Sequence, residues 1–73
     1  MDYYKILDQL PRSCSDFDVQ KAYRKMALKW HPSKHIGSNE EDVQDHFSQI
    51  NEAYTVLINA QLRAIFDQFG EKG

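Results

Sequence analysis

The chain has one cysteine, Cys14, and two prolines, Pro11 and Pro32, in 73 residues. A single thiol excludes an internal disulfide framework and fits a reducing compartment, so the expected location is the cytoplasm, with the nucleus as an alternative. No apolar run approaches the roughly 18 residues that a membrane span needs, and no membrane contact is expected. Met1 is followed at once by Asp2-Tyr3-Tyr4, which gives no secretory apolar stretch. Internal repeats and low-complexity segments are missing as well. Basic residues are missing from one stretch in particular: residues 38–54 hold five acidic side chains and no lysine or arginine.

What is present is enough for one small domain. The hydrophobic share of 41% is too high for a disordered tail. The length is near the size at which a single core only just suffices. Residues 1–70 are expected to form the domain, a monomer, with 71–73 as the start of a linker. The formal net charge of −2 hides an asymmetry, because residues 15–37 carry five basic and two acidic side chains. A local basic face on a weakly acidic chain argues for an acidic protein patch as partner and against non-specific nucleic-acid binding.

That basic face lies on the stretch around which the chain is organised, DFDVQKAYRKMALKW, residues 16–30. Val19, Ala22, Tyr23, Met26, Ala27 and Trp30 recur at three- and four-residue steps, the mark of one buried helical stripe. Lys21, Arg24, Lys25 and, at the edge, Lys29 fall on the other side. Ser15 followed three residues later by Asp18 is a capping-box-like start, and Asp16 and Asp18 suit the positive end of the helix dipole. Pro32 lacks a backbone donor and biases His31 away from helical geometry, so this helix should end near Trp30.

Three more helical segments can be read. A short one runs from Tyr3 to about Asp8, with Tyr4 and Leu7 inward. After a polar loop, a third runs from about Glu40 to Leu57, its stripe made of Val43, Phe47, Ile50, Tyr54 and Leu57. As a core ring, Phe47 would cost about 3–5 kcal/mol when cut to alanine. Asn59 can cap a fourth helix, Ala60 to Phe69, ended by Gly70. Antiparallel packing of the second and third helices across a short loop is the simplest way to bury both stripes. The expected fold class is all-α, and the expected core is Tyr4, Leu7, Val19, Ala22, Met26, Trp30, Phe47, Ile50, Tyr54, Leu57 and Phe66.

Several motifs follow in order along the chain. They are Asp2-Tyr3-Tyr4-Lys5-Ile6-Leu7, Ala22-Tyr23-Arg24-Lys25-Met26-Ala27-Leu28-Lys29-Trp30-His31-Pro32, Phe47 with Ile50-Asn51-Glu52-Ala53-Tyr54-Thr55-Val56-Leu57, and Arg63-Ala64-Ile65-Phe66-Asp67-Gln68-Phe69-Gly70. Together, over nearly the whole chain, they resemble the J domain of DnaJ-type (heat-shock 40-kDa) co-chaperones. The resemblance implies a four-helix J-domain fold and a partner, the ATPase domain of a 70-kDa heat-shock chaperone. It implies a docking site made of Lys21, Tyr23, Arg24, Lys25, Lys29, His31, Pro32, Ser33 and Lys34. Clients would be held by regions outside these 73 residues.

The sequence departs from the family where the turn's third residue is aspartate. Ser33 stands there, short and neutral. Removing one member of a desolvated charge pair costs about 2–5 kcal/mol, so the resemblance with this change implies impaired ATPase stimulation. The alternative is a J-like structural or assembly adaptor, for example in a ciliary radial spoke. Gln20 stands where many members have another basic residue, and Ile58-Asn59-Ala60 replaces Ser-Asp-Pro, which leaves open a looser or more continuous junction.

Blander readings apply to the same residues. Without the resemblance, the lysine–arginine face is a solvated helix side. His31 has no nucleophile and orienting acid arranged around it, so no catalytic residue is expected and the chain is not expected to be an enzyme. His31, His35, His46 and Cys14 lack metal-ligand spacing, since Pro32 breaks the helix an i,i+4 pair would need; no metal or cofactor is expected. Cys14 reads as a small filler, Tyr23 as core with an exposed hydroxyl edge, and Trp30 as the ring that packs under the turn and sets its direction.

Overall fold

The computed structural model describes residues 2–70. Four helices and one short 3-10 turn follow in order: α1 Tyr3–Ile6, α2 Asp16–Lys29, the 3-10 turn Pro32–Lys34, α3 Glu40–Ile58 and α4 Ala60–Phe69. There is no strand among the described residues.

The helix ends are written in the sequence. The Ser15 hydroxyl accepts from the Asp18 amide and the Asp18 carboxylate accepts from the Ser15 amide, a full capping box at the head of α2. Asn39 accepts from the Glu41 and Asp42 amides at the head of α3. Asn59 is both the last cap of α3 and the first cap of α4, where its side chain accepts from the Gln61 and Leu62 amides. The Ile58-Asn59-Ala60 junction is thus one extended residue that breaks the helix, and the path is not continuous. α1 is shorter than its sequence suggests. After Ile6 the chain turns through Asp8 and Gln9, both with positive φ, and the Leu10 amide donates to the Tyr4 carbonyl.

Tyr23 of α2 meets Asn51 and Tyr54 of α3, while Trp30 meets His46. Contacts that climb α2 while descending α3 define an antiparallel hairpin. α1 and α4 pack on α3 and close the core. That core is Tyr4, Leu7, Cys14, Val19, Ala22, Ile50, Ala53, Leu57 and Phe66, all buried. Met26, Trp30 and Tyr54, expected within it, are half-buried along its flank. Phe47 is the correction. It is half-buried, stands outside the cluster, and meets the edge of His31 at 6.0 Å between ring centroids. The reason is architectural: α1 and α4 cover the hairpin only part of the way, and at Phe47 the remaining cover is the turn and loop. The linker expected at 71–73 lies outside the described residues.

Candidate docking site

At the open end of the hairpin, Trp30 caps α2, its amide donating to the Met26 carbonyl. Two imidazoles lie nearly parallel to its indole: His35 at 5.3 Å and 10°, His46 at 4.1 Å and 8°. Both are also fixed by hydrogen bonds. His35 Nε2 donates to the Lys29 carbonyl at 2.9 Å, one of the orphan acceptors at the end of α2, and His46 Nδ1 donates to the Asp42 carbonyl at 2.9 Å. The loop after α2 is therefore tied to both helices of the hairpin through one indole.

The 3-10 turn stands on this base. Pro32 occupies its first position, the Lys34 amide donates to the His31 carbonyl, and the His35 amide donates to the Pro32 carbonyl. His31 Nδ1 accepts the Ser33 amide at 3.2 Å and lies 2.9 Å from the Ser33 hydroxyl. An amide only donates, so the network assigns the acceptor role to Nδ1 and the ring proton to Nε2. The Ser33 hydroxyl then donates inward to the same nitrogen. Ser33 is exposed, yet its amide and its hydroxyl proton are both directed at His31 Nδ1, which leaves the hydroxyl oxygen free only to accept.

Lys21, Arg24, Lys29 and Lys34 are exposed along α2 and the turn. Lys25 is exposed too, but its ammonium is 3.0 Å from the Asp8 carboxylate. Tyr23 is half-buried: its ring stacks on Tyr54 at 4.2 Å and its hydroxyl donates to Asn51 Oδ1 at 2.7 Å. That hydroxyl, expected at an exposed edge, is engaged inside the hairpin, so Tyr23 presents ring and not a free donor.

Two residues that periodicity passed over organise the rest. Arg63 of α4 reaches across to the loop before α2, donating through Nη2 to the carbonyls of Cys14 at 2.6 Å and Arg12 at 3.0 Å, and through Nε to the Tyr4 hydroxyl at 3.1 Å. The Tyr4 hydroxyl donates in turn to Asp67. Burial and the hydrogen bond to Asp67 push the Tyr4 phenol above its ordinary value, against the opposing pull of Arg63. Asp8 is the other, through its pair with Lys25. Cys14 is buried with its sulfur 3.4 Å from Arg63 Nη2, while His31, His35 and His46 gather at the turn. Among the described residues no cluster of three His, Cys, Asp or Glu forms a metal-binding arrangement. No helix among them is long and apolar enough to cross a membrane.

Comparison with known proteins places this geometry. The chain is 49% identical over all of its 73 residues to the human DnaJ homolog subfamily B member 3, of which it covers 49%. It is 47% identical to the chicken DnaJ homolog subfamily B member 6, covering 22% of it, and 47% identical to the chaperone protein DnaJ of Chlorobium luteolum, covering 18%. The chain thus spans about half or less of the length of these curated relatives. A crystal structure of ERdj5 (form II) superposes on 99% of the chain and 9% of its own, with a TM-score of 0.82 and 36% identity. Those helices are the J-domain fold that the motifs anticipate. The DnaJ domain family model matches residues 2–67, and with that match the chain belongs to the DnaJ domain family.

Proposed function

We propose that this J domain is a co-chaperone module that docks on the ATPase domain of a 70-kDa heat-shock chaperone through α2 and the His31-Pro32-Ser33 turn. Its own chemistry is recognition: the hydrolysis it would influence belongs to the partner. The observation that carries the reading is the row of four exposed cations with no ion pair among the described residues, Lys21, Arg24, Lys29 and Lys34, running into a turn whose following loop stacks on Trp30 through His35. A preformed cationic ridge needs little ordering on binding, and complementary charge steers the encounter.

Stimulation of hydrolysis is weakened at Ser33. A serine hydroxyl turned onto His31 offers no charge to a partner, and loss of one member of a desolvated ion pair is worth about 2–5 kcal/mol. The module would act in the cytoplasm, with clients bound by other parts of a longer protein. Titrating the domain into a purified chaperone ATPase domain tests the docking. Binding in the micromolar range that weakens as salt rises, and that Arg24→Glu abolishes, is the expected result. Binding indifferent to salt and to Arg24→Glu would leave the structural-adaptor reading ahead.

A further inference from the structure

Lys25 differs from the other cations of this face. Its ammonium is 3.0 Å from the Asp8 carboxylate, whereas Lys21, Arg24, Lys29 and Lys34 have no ion pair among the described residues. Asp8 is brought there by a backbone that side chains seldom adopt: Asp8 and Gln9 have successive φ values of 59° and 55° with no glycine. Aspartate is among the few residues that enter this region at tolerable cost, and glutamine is not. The turn is anchored from below by fully buried Leu7 and closed by the Leu10 amide on the Tyr4 carbonyl at 2.9 Å. A groove of about 310 Å³ lies between this loop and α2, lined by Asp8, Leu10, Asp18, Lys21, Ala22 and Lys25. Any carboxylate that approaches Lys25 meets one already in place.

We propose that Asp8 is an internal competitor for Lys25, lowering the affinity of the docking face for an acidic partner until a partner carboxylate displaces it. The inference rests on the docking reading above. The displacement is easy, because both partners face solvent, at 67% and 44% side-chain exposure. Exposed pairs of this kind shift equilibria only slightly, so Asp8 sets affinity over about a two- to fivefold range and does not block the site. Asp18 lines the same groove, but its carboxylate accepts from the Ser15 amide in the capping box and is committed to the helix.

The test is the dissociation constant for a purified 70-kDa chaperone ATPase domain at low salt, measured for the unmodified domain and for Asp8→Asn. Asparagine keeps the tolerance for positive φ and removes only the charge; Asp8→Gly gives the same reading should asparagine disturb the loop. Binding should tighten about two- to fivefold, with the gain shrinking as salt rises. Asp45→Asn, an equal charge change on the exposed side of α3, should have no such effect. In a Lys25→Met background Asp8→Asn should give no gain. An equal gain from Asp45→Asn, or one that survives Lys25→Met, would assign the effect to overall charge and overturn the proposal. Unchanged or weaker binding of Asp8→Asn, with the unmodified domain binding normally, overturns it while leaving docking intact. If neither protein binds, the docking reading falls and takes this one with it.

Discussion

The indole of Trp30 and the imidazole of His46 lie face to face, 4.1 Å apart and 8° from parallel, and join the end of α2 to the first half of α3. Everything between them, residues 31–45, is a loop, a turn and a helix start that this contact holds in one geometry.

Trp30→Ala should therefore cost about 2–4 kcal/mol, somewhat less than a fully buried ring. It should also speed hydrogen exchange at the Lys34 and His35 amides, which donate within the turn. Urea unfolding gives the first number and NMR exchange the second. Unchanged exchange at those amides would show that the turn holds itself without the indole.

Phe47→Ala and Ile50→Ala form a ranked pair. Ile50 is buried in the core, and its truncation should cost about 2–5 kcal/mol. Phe47 stands outside that cluster, against His31, and should cost only about 1–2 kcal/mol, within the ordinary range of single substitutions. Equal losses in chemical denaturation would return Phe47 to the core.

Tyr4 predicts an alkaline limb. Its phenol is raised above the ordinary value near 10 by burial and by its bond to Asp67. A group whose folded value is raised contributes stability that is complete below the unfolded value and is lost as pH climbs through the folded one. Stability should fall above about pH 10, and Tyr4→Phe should flatten that fall while costing about 1–3 kcal/mol at neutral pH through the unpaired partners it leaves. Melting curves of both proteins between neutral and strongly alkaline pH decide it. Parallel curves would mean that Tyr4 plays no part in the limb.

Ser33→Asp should raise chaperone ATPase stimulation by about tenfold or more, as expected from restoring a charge worth about 2–5 kcal/mol to a desolvated pair. The carboxylate can only accept, so it cannot bond to His31 Nδ1 as the serine hydroxyl does and is left to face a partner, while the backbone amide of residue 33 still donates to that nitrogen. Adding His31→Gln should remove the gain. A folded Ser33→Asp variant that stimulates no better than the parent would spread the defect over the whole face.

Local chemistry made most of the fold legible. Ser15 and Asp18, Asn59 and Gly70 marked helix ends because caps act within three residues, and the stripes of α2 and α3 made a hairpin the economical packing. What stayed hidden depends on distance along the chain. The engagement of Tyr23 with Asn51 spans 28 residues, and Arg63 meets Tyr4 and Cys14 across 59 and 49. No periodicity reports such contacts. Phe47 sits in the same stripe as Ile50, and only the extent of α1 and α4 separates a covered ring from a half-covered one. Asp8 was hidden for another reason: its role comes from a left-handed backbone at a residue that is not glycine. The candidate cations stood out as a charged face, but periodicity gave no sign that Lys25 is already paired with Asp8.

The Arg63 clamp gathers Tyr4, Arg12 and Cys14 near the start of α2, while the turn rests on Trp30 at its far end, about 20 Å of helix away. Two jobs are thereby given to two ends of one rod. Replacements in the turn draw nothing from the clamp, so a lineage can retune or silence the tip while the body goes on folding as before. A serine in the turn's third place is compatible with such a division, and an aspartate placed there would meet a body that folds as before.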